Sequence, residues 1–272
     1  PVVLRIARLA GPFYLKHVLG LQIKDPQHID RLVQEYQKFF YNESKLVLVF
    51  RHVHVNDAQV LFYVINNAVH KQAKKSGTKL PRRPHVHFLY GRGVPVWGGK
   101  GLEWFFSRLG AIPVHHRKLD RQGLDVVRSY MMSGPYPIAL APEGQVTYHN
   151  EVVHEIEPGF AQLALWAQQD LKRKGDYQDV RILPIAQYYR YGRNGRKVLL
   201  RLMKELQEET GIHVFSTSKL PHTIQPVLRQ LGAALFTKIE QFYQNYYGLS
   251  FDTEDHAEEC SRGLALPVWC GE

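Results

Sequence analysis

The chain reads as an α/β protein built on a mixed, largely parallel sheet flanked by helices. Three observations lead there. Short apolar, β-branched runs recur at 45–51, 85–90, 111–115, 137–141 and 180–188. Helix-length stretches at 57–75, 101–109, 124–132 and 159–174 separate them. Strands joined by crossovers of that length pair in parallel, since a hairpin needs only a few connecting residues. Finally, 272 residues with 44% hydrophobic content suffice for one large buried core.

Taken in order, residues 1–21 mix Val, Leu, Ile and Phe with Arg5, Arg8, Lys16 and His17. A helix here places Arg5 and Arg8 on one face, with Gly11 and Pro12 expected to interrupt it. Such a segment either lies in a membrane interface or packs on the domain as a terminal helix. The run 45–51 is a buried strand by its content. Asn56 or Asp57 then opens a helix, which closes near Gly77. Helices are also expected at 195–210 and 221–248, followed by a tail of little pattern from 251. The organisation expected is a helical segment 1–40, a catalytic domain 41–215, and a C-terminal helix and tail 216–272. Because the chain begins with Pro1 rather than Met, a native segment ahead of it is expected to be missing.

A net charge of +10 and a pI near 9.5 attract polyanions: nucleic acid, an anionic membrane face, or a phosphorylated substrate. The positive charges are scattered and no nucleic-acid-binding motif occurs, so nucleic acid is not the partner expected. Only Cys260 and Cys270 occur, which implies no disulfide framework and fits a reducing compartment. No apolar run reaches the roughly 20 residues that span a bilayer. The location expected is cytoplasmic, with peripheral membrane association.

Four short motifs bear chemistry. His52 and Asp57 form a His-x4-Asp block where an apolar strand gives way to a helix. Ligands of open α/β sheets bind outside the carboxyl ends of strands. There a His can act as general base, and a carboxylate can hold its tautomer. The spacing alone is weakly specific: 14 His and 10 Asp in 272 positions give about half a match by chance. A second copy, His115-x4-Asp120, runs into a charged stretch and reads as a solvated loop. Next, Pro142-Glu143-Gly144 follows the strand at 137–141 and reads as a sharp turn presenting N–H groups and a carboxylate. Gly110-Ala111-Ile112-Pro113-Val114 precedes His115, His116 and Arg117, where an arginine can grip a phosphate. Leu183-Pro184-Ile185 reads as an edge or bulged strand.

The order of these blocks resembles the glycerophosphate and lysophosphatidate acyltransferase family, over about 45–189. Val94-Pro95 and Trp97-Gly98 are similar to the approach to its second motif. Glu157-Pro158-Gly159-Phe160 is similar to its helix start after the third. The resemblance implies an acyltransferase-like αβ fold and selects His52 and Asp57 as the catalytic pair. His52 would take the proton of an acceptor hydroxyl, which attacks the thioester of acyl-CoA or acyl carrier protein. Backbone donors near the second and third motifs would hold the oxyanion. Pro142, Glu143 and Gly144, with Gly110 and Arg117, would contact substrate. No cofactor and no metal are implied, only the acyl thioester as co-substrate. The partners implied are a lipid acceptor, an anionic membrane surface and, for one donor class, acyl carrier protein.

Three positions depart from the family pattern. Arg51 stands where Asn or a small polar residue precedes the motif His. His115-His116 replaces an Asp-Arg pair, with Arg117 one position late. Gln145-Val146 replaces Thr-Arg. The transfer chemistry is untouched by these changes, whereas a glycerol-phosphate acceptor loses its expected arginines. Two further readings stand beside this one. His52-x-His54 and His85-x-His87 each put two imidazoles on one strand face, as a zinc-dependent hydrolase requires. An acyltransferase-like protein that binds lipid without turnover is the other.

Overall fold

The computed structural model of the chain describes residues 2–94, 96, 99–115, 120–213 and 225–249. In chain order the elements are α1 (Val2–Phe13), α2 (Ile29–Phe40), β1 (Ser44–Phe50), α3 (Asp57–Tyr63), α4 (His70–Lys75) and β2 (His87–Gly91). After these come α5 (Lys100–Leu109), β3 (Ile112–Val114), α6 (Arg121–Ser133), β4 (Ile138–Leu140), α7 (Gly159–Arg173) and β5 (Asp179–Ile185). The last two are α8 (Gly195–Thr210) and α9 (Gln225–Tyr247). Residues 214–224 and the tail from 250, with Cys260 and Cys270, lie outside the described residues.

The five described strands pair in parallel, in the order β3-β2-β4-β1-β5. Alternation along β1 assigns its side chains to two faces. Leu46, Leu48 and Phe50 enter a cluster with Leu32, Val33 and Tyr36 of α2, Leu61 of α3, and Ile65 and Val69 beyond it. Val47 and Val49 enter a second cluster with Val127 and Met131 of α6 and Leu163 and Ala167 of α7. The sheet is therefore covered on both faces, as a parallel sheet must be. Proline lacks the N–H a ladder needs, and both sheet prolines, Pro113 in β3 and Pro184 in β5, sit on edge strands.

The chain divides into one unit ending at Tyr188 and another beginning at Tyr189. The division falls soon after β5, and α1 and α2 belong to the first unit. The second unit carries α8 and α9, with Met203 and Leu231 buried.

Two local features differ from the sequence expectation. Pro12 does not interrupt α1, which runs to Phe13 and widens into a π-helical turn at Tyr14–Val18. Pro12 removes one backbone N–H from the ladder just before the helix widens. Arg8 also turns inward while Arg5 is exposed; its Nε donates to Asn66 Oδ1 at 2.6 Å. Asn66 lies in a second π-helical turn, Val64–Val69, between α3 and α4, and its amide donates to the Phe62 carbonyl at 3.0 Å.

A buried polar group sits at the amino end of β2. Tyr36 donates its hydroxyl to the His85 carbonyl (2.9 Å), and His85 Nε2 donates to the Leu109 carbonyl (2.8 Å). His87 Nδ1 donates to the Gly110 carbonyl at 2.7 Å. Burial pushes the His85 imidazole down to about 4 and lowers His87 as well. The unfolded chain binds the His85 proton near 6.5 and the folded one near 4. Protonation therefore favours unfolding: stability is full above pH 6.5 and is lost as pH falls towards 4. The loss from this group is about 3 kcal/mol. Thermal unfolding followed from pH 7 to 4.5 should show that decline, and His85→Gln should flatten it. An unchanged slope in the variant would assign the acid sensitivity to other groups.

Candidate active site

Parallel pairing places the carboxyl ends of β1 and β4 side by side, with Val49 opposite Leu140. The chain leaves β1 for β2, passing β4, and leaves β4 for β5, passing β1. Crossovers in such sheets are right-handed, so these opposite directions send the two connections over opposite faces. The two core clusters agree, with α3 on one face and α7 on the other. The β1/β4 rim is thus a topological switch point, the place where open α/β sheets form a ligand crevice. Residues 51–57 leave one side of it and residues 141–157 the other.

His52 and Asp57 meet there. His52 Nδ1 lies 3.2 Å from Asp57 Oδ2, and the same oxygen accepts the His54 N–H at 2.8 Å. The turn closes in return through the Asp57 N–H, donated to the His54 carbonyl at 3.1 Å. Asp57 is the first residue of α3 and its side chain is fully buried, whereas His52 is 26% exposed. The spacing of five residues works because the strand ends, one tight turn follows, and the helix begins. A buried carboxylate on Nδ1 fixes the tautomer and leaves Nε2 as the nitrogen for proton transfer.

The Pro142-Glu143-Gly144 turn backs onto this pair. Glu143 Oε2 accepts the His52 backbone N–H at 2.7 Å, while Arg51 Nε donates to Oε1 at 3.4 Å. The Glu143 side chain is only 1% exposed. Each oxygen has a partner within the protein, so this carboxylate braces His52 from behind. The His52 carbonyl is fixed in turn by Thr147, whose N–H reaches it at 2.8 Å. Gly144 adopts φ +68°, a conformation that favours glycine in the turn. Pro142 offers its carbonyl to the Glu157 N–H at 2.9 Å.

One expected site residue, Gly110, is not brought to this rim. Gly110 precedes β3 and therefore lies at the amino end of the sheet, opposite His52. It ends α5 at φ +76°, and an added Cβ would meet the His87 ring at 2.7 Å. Its demand for glycine comes from a helix cap against an imidazole. Arg117 lies outside the described residues, as do His116, Pro95, Trp97 and Gly98.

The second His-x4-Asp copy has a different construction. Asp120 caps α6 by accepting the Gly123 N–H (3.0 Å), and it takes the backbone N–H of His115 at 3.1 Å. The Gly123 N–H is the first cause that holds its carboxyl below the usual range. This spacing produces a helix cap rather than an imidazole–carboxylate pair. The zinc reading fares no better on geometry. His85 and His87 sit at the amino end of the sheet, turned to the carbonyls of Leu109 and Gly110. His52 and His54 are at the carboxyl end, so the two pairs do not converge.

Arg51 is the site residue whose role the sequence did not disclose. It was visible only as a departure from a family pattern, and its partners lie about a hundred positions away. Among known proteins, no family model, curated protein or solved structure matches the chain.

Proposed function

We propose that the chain is an O-acyltransferase, moving a fatty acyl group from acyl-CoA or acyl carrier protein to a hydroxyl of a lyso-lipid or related lipid-like acceptor. The observation that supports it most is the partly exposed His52 imidazole, held through Nδ1 by buried Asp57 at the β1/β4 switch point. In this reading Nε2 takes the acceptor's hydroxyl proton as the oxygen bonds to the thioester carbon. The tetrahedral intermediate collapses, the C–S bond breaks, and the departing thiolate receives the proton from the imidazolium. Asp57 stabilises that imidazolium, and no covalent enzyme intermediate forms. The oxyanion is left to backbone N–H groups, preorganised as such steps require.

Peripheral membrane association belongs to the same proposal. None of the described helices is long and apolar enough to cross a membrane. However, α1 buries Leu4 and turns Arg8 inward, while Val2, Ile6, Leu9 and Phe13 form an exposed stripe at helical spacing. Residues 2–24 carry Arg5, Arg8, Lys16 and Lys24 and no acidic residue. An apolar stripe with cationic flanks suits the interface of an anionic bilayer.

Two outcomes follow. Replacing His52 by Ala should remove transfer of a radiolabelled acyl group by about a hundredfold or more, with the melting curve kept, while His115→Ala should stay near wild type. The reverse ranking would refute the assignment, and a wild-type protein inert toward lyso-lipids and neutral alcohols alike would favour lipid binding without turnover. Flotation with anionic vesicles should weaken as salt rises past about 0.15 M and should drop in Leu9→Glu and Phe13→Glu. Binding indifferent to lipid charge, salt and both substitutions would remove the membrane partner.

A further inference from the structure

The stretch between β4 and α7 has the form of a closed loop. Residues 142–157 carry no helix or strand, and the Glu157 N–H joins the two ends by bonding to the Pro142 carbonyl. Compact loops with touching ends of this kind, Ω-loops, are held by their own interior groups. Here the usual means of satisfying inward carbonyls is missing, because no ladder or helix runs through the loop. Tyr148 adopts φ +58°, and His149 stacks on His154 with centroids 5.2 Å apart. Tyr148, Val152, Val153 and Ile156 point apolar surface outward.

The interior is supplied from another strand. Arg51, at the exit of β1, sends Nη1 to the Asn150 carbonyl (2.6 Å) and Nη2 to the carbonyls of His149 (3.1 Å) and Val152. Its Nε faces Glu143. One guanidinium thus holds three loop carbonyls and the carboxylate that grips the His52 N–H. The side chain is 19% exposed; its bonds to Asn150 and His149 are partly buried, while the one to Val152 lies at the surface. Only a planar fork of five donors can make this set; an ammonium is a point donor, and a small polar side chain at 51 could not span the loop.

We propose that Arg51 is a positioning residue: it locks the 142–157 loop and the His52 main chain into one block, so that the loop is a preset wall of the lipid site. The inference about a lipid wall rests on the acyltransferase reading; the lock itself does not. Ordering the wall in advance spares the substrate that cost, which is what preorganisation contributes to a positioned reaction. The residue that breaks the family pattern is then the one that shapes this chain's acceptor side.

Amide hydrogen exchange under native conditions tests the lock without any turnover. In Arg51→Lys and Arg51→Ala, amides in 145–156 should exchange at least about tenfold faster, while those of β1 and α3 hold their protection. Glu143→Gln keeps the three carbonyl bonds and should leave 145–156 close to wild type. Should Arg51→Ala fail to fold, Arg51→Lys decides, since it keeps the charge beside Glu143 and loses the fork. Unchanged exchange in 145–156, or acceleration spread evenly over the whole unit, would overturn the lock. If the wild type transfers acyl groups, Arg51→Lys should raise the acceptor KM and lower kcat together, roughly tenfold in kcat/KM. A wild type without transfer would sink the enzymatic reading, and the exchange pattern would still judge Arg51.

Discussion

Everything at the site depends on β1 lying next to β4 in parallel. The pairing of Val49 with Leu140 sets two strand exits beside each other, although His52 and Glu143 are 91 residues apart in sequence. A switch of direction at that point opens the rim, because one connection covers one face and the next covers the other. The backbone amide of His52 then has a carboxylate behind it, its carbonyl has Thr147, and its ring has Asp57. Three separate bonds fix one imidazole, and none of them uses Nε2.

The site holds two nearly or fully buried carboxylates, and burying such groups is costly unless they are paired and hydrogen-bonded. Glu143 meets that condition through Arg51 and the His52 N–H, and Asp57 through the His54 N–H and the His52 ring. Each carboxylate is thus shared between scaffold and function. Losing one partner of such a buried pair leaves the other uncompensated, a cost of about 3–5 kcal/mol in comparable cases. In the proposed reaction, changes at Arg51 or Asp57 act on order and on chemistry at once, which is why local exchange and kinetics have to be read together.

Much of the scaffold was legible because period and punctuation are local. The strand at Ser44–Phe50, the helix starting at Asp57 and the helix Gly195–Thr210 fall within a residue of their sequence expectation. The helix Ile29–Phe40 lies within the helical segment expected over 1–40, although its bounds were not drawn there; Leu32, Val33, Tyr36, Phe39 and Phe40 carry its periodicity. The pair His52–Asp57 was singled out by the order of the four motifs rather than by its place, since His115 also follows a strand. What could not be read was anything set by strand order. Gly110 belongs to the far end of the sheet, Glu143 braces His52 from behind, and Arg51 has its partners at 143 and 149–152. Pairings between positions a hundred apart leave no trace in spacing, and a departure from a pattern says that something differs without saying what it holds.

The central claim is that chemistry happens at the β1/β4 rim, on His52 Nε2. The opposite end of the sheet offers a competitor, an open cleft of about 600 Å³ lined by Lys45, Arg82, Ser133 and Asp176. A crystal structure with a non-hydrolysable acyl thioester analogue and an acceptor alcohol separates the two. The acceptor hydroxyl is expected within about 2.6–3.2 Å of Nε2, with the thioester carbonyl beside it. Both ligands bound in the Lys45/Arg82 cleft, with His52 bare, would contradict the claim.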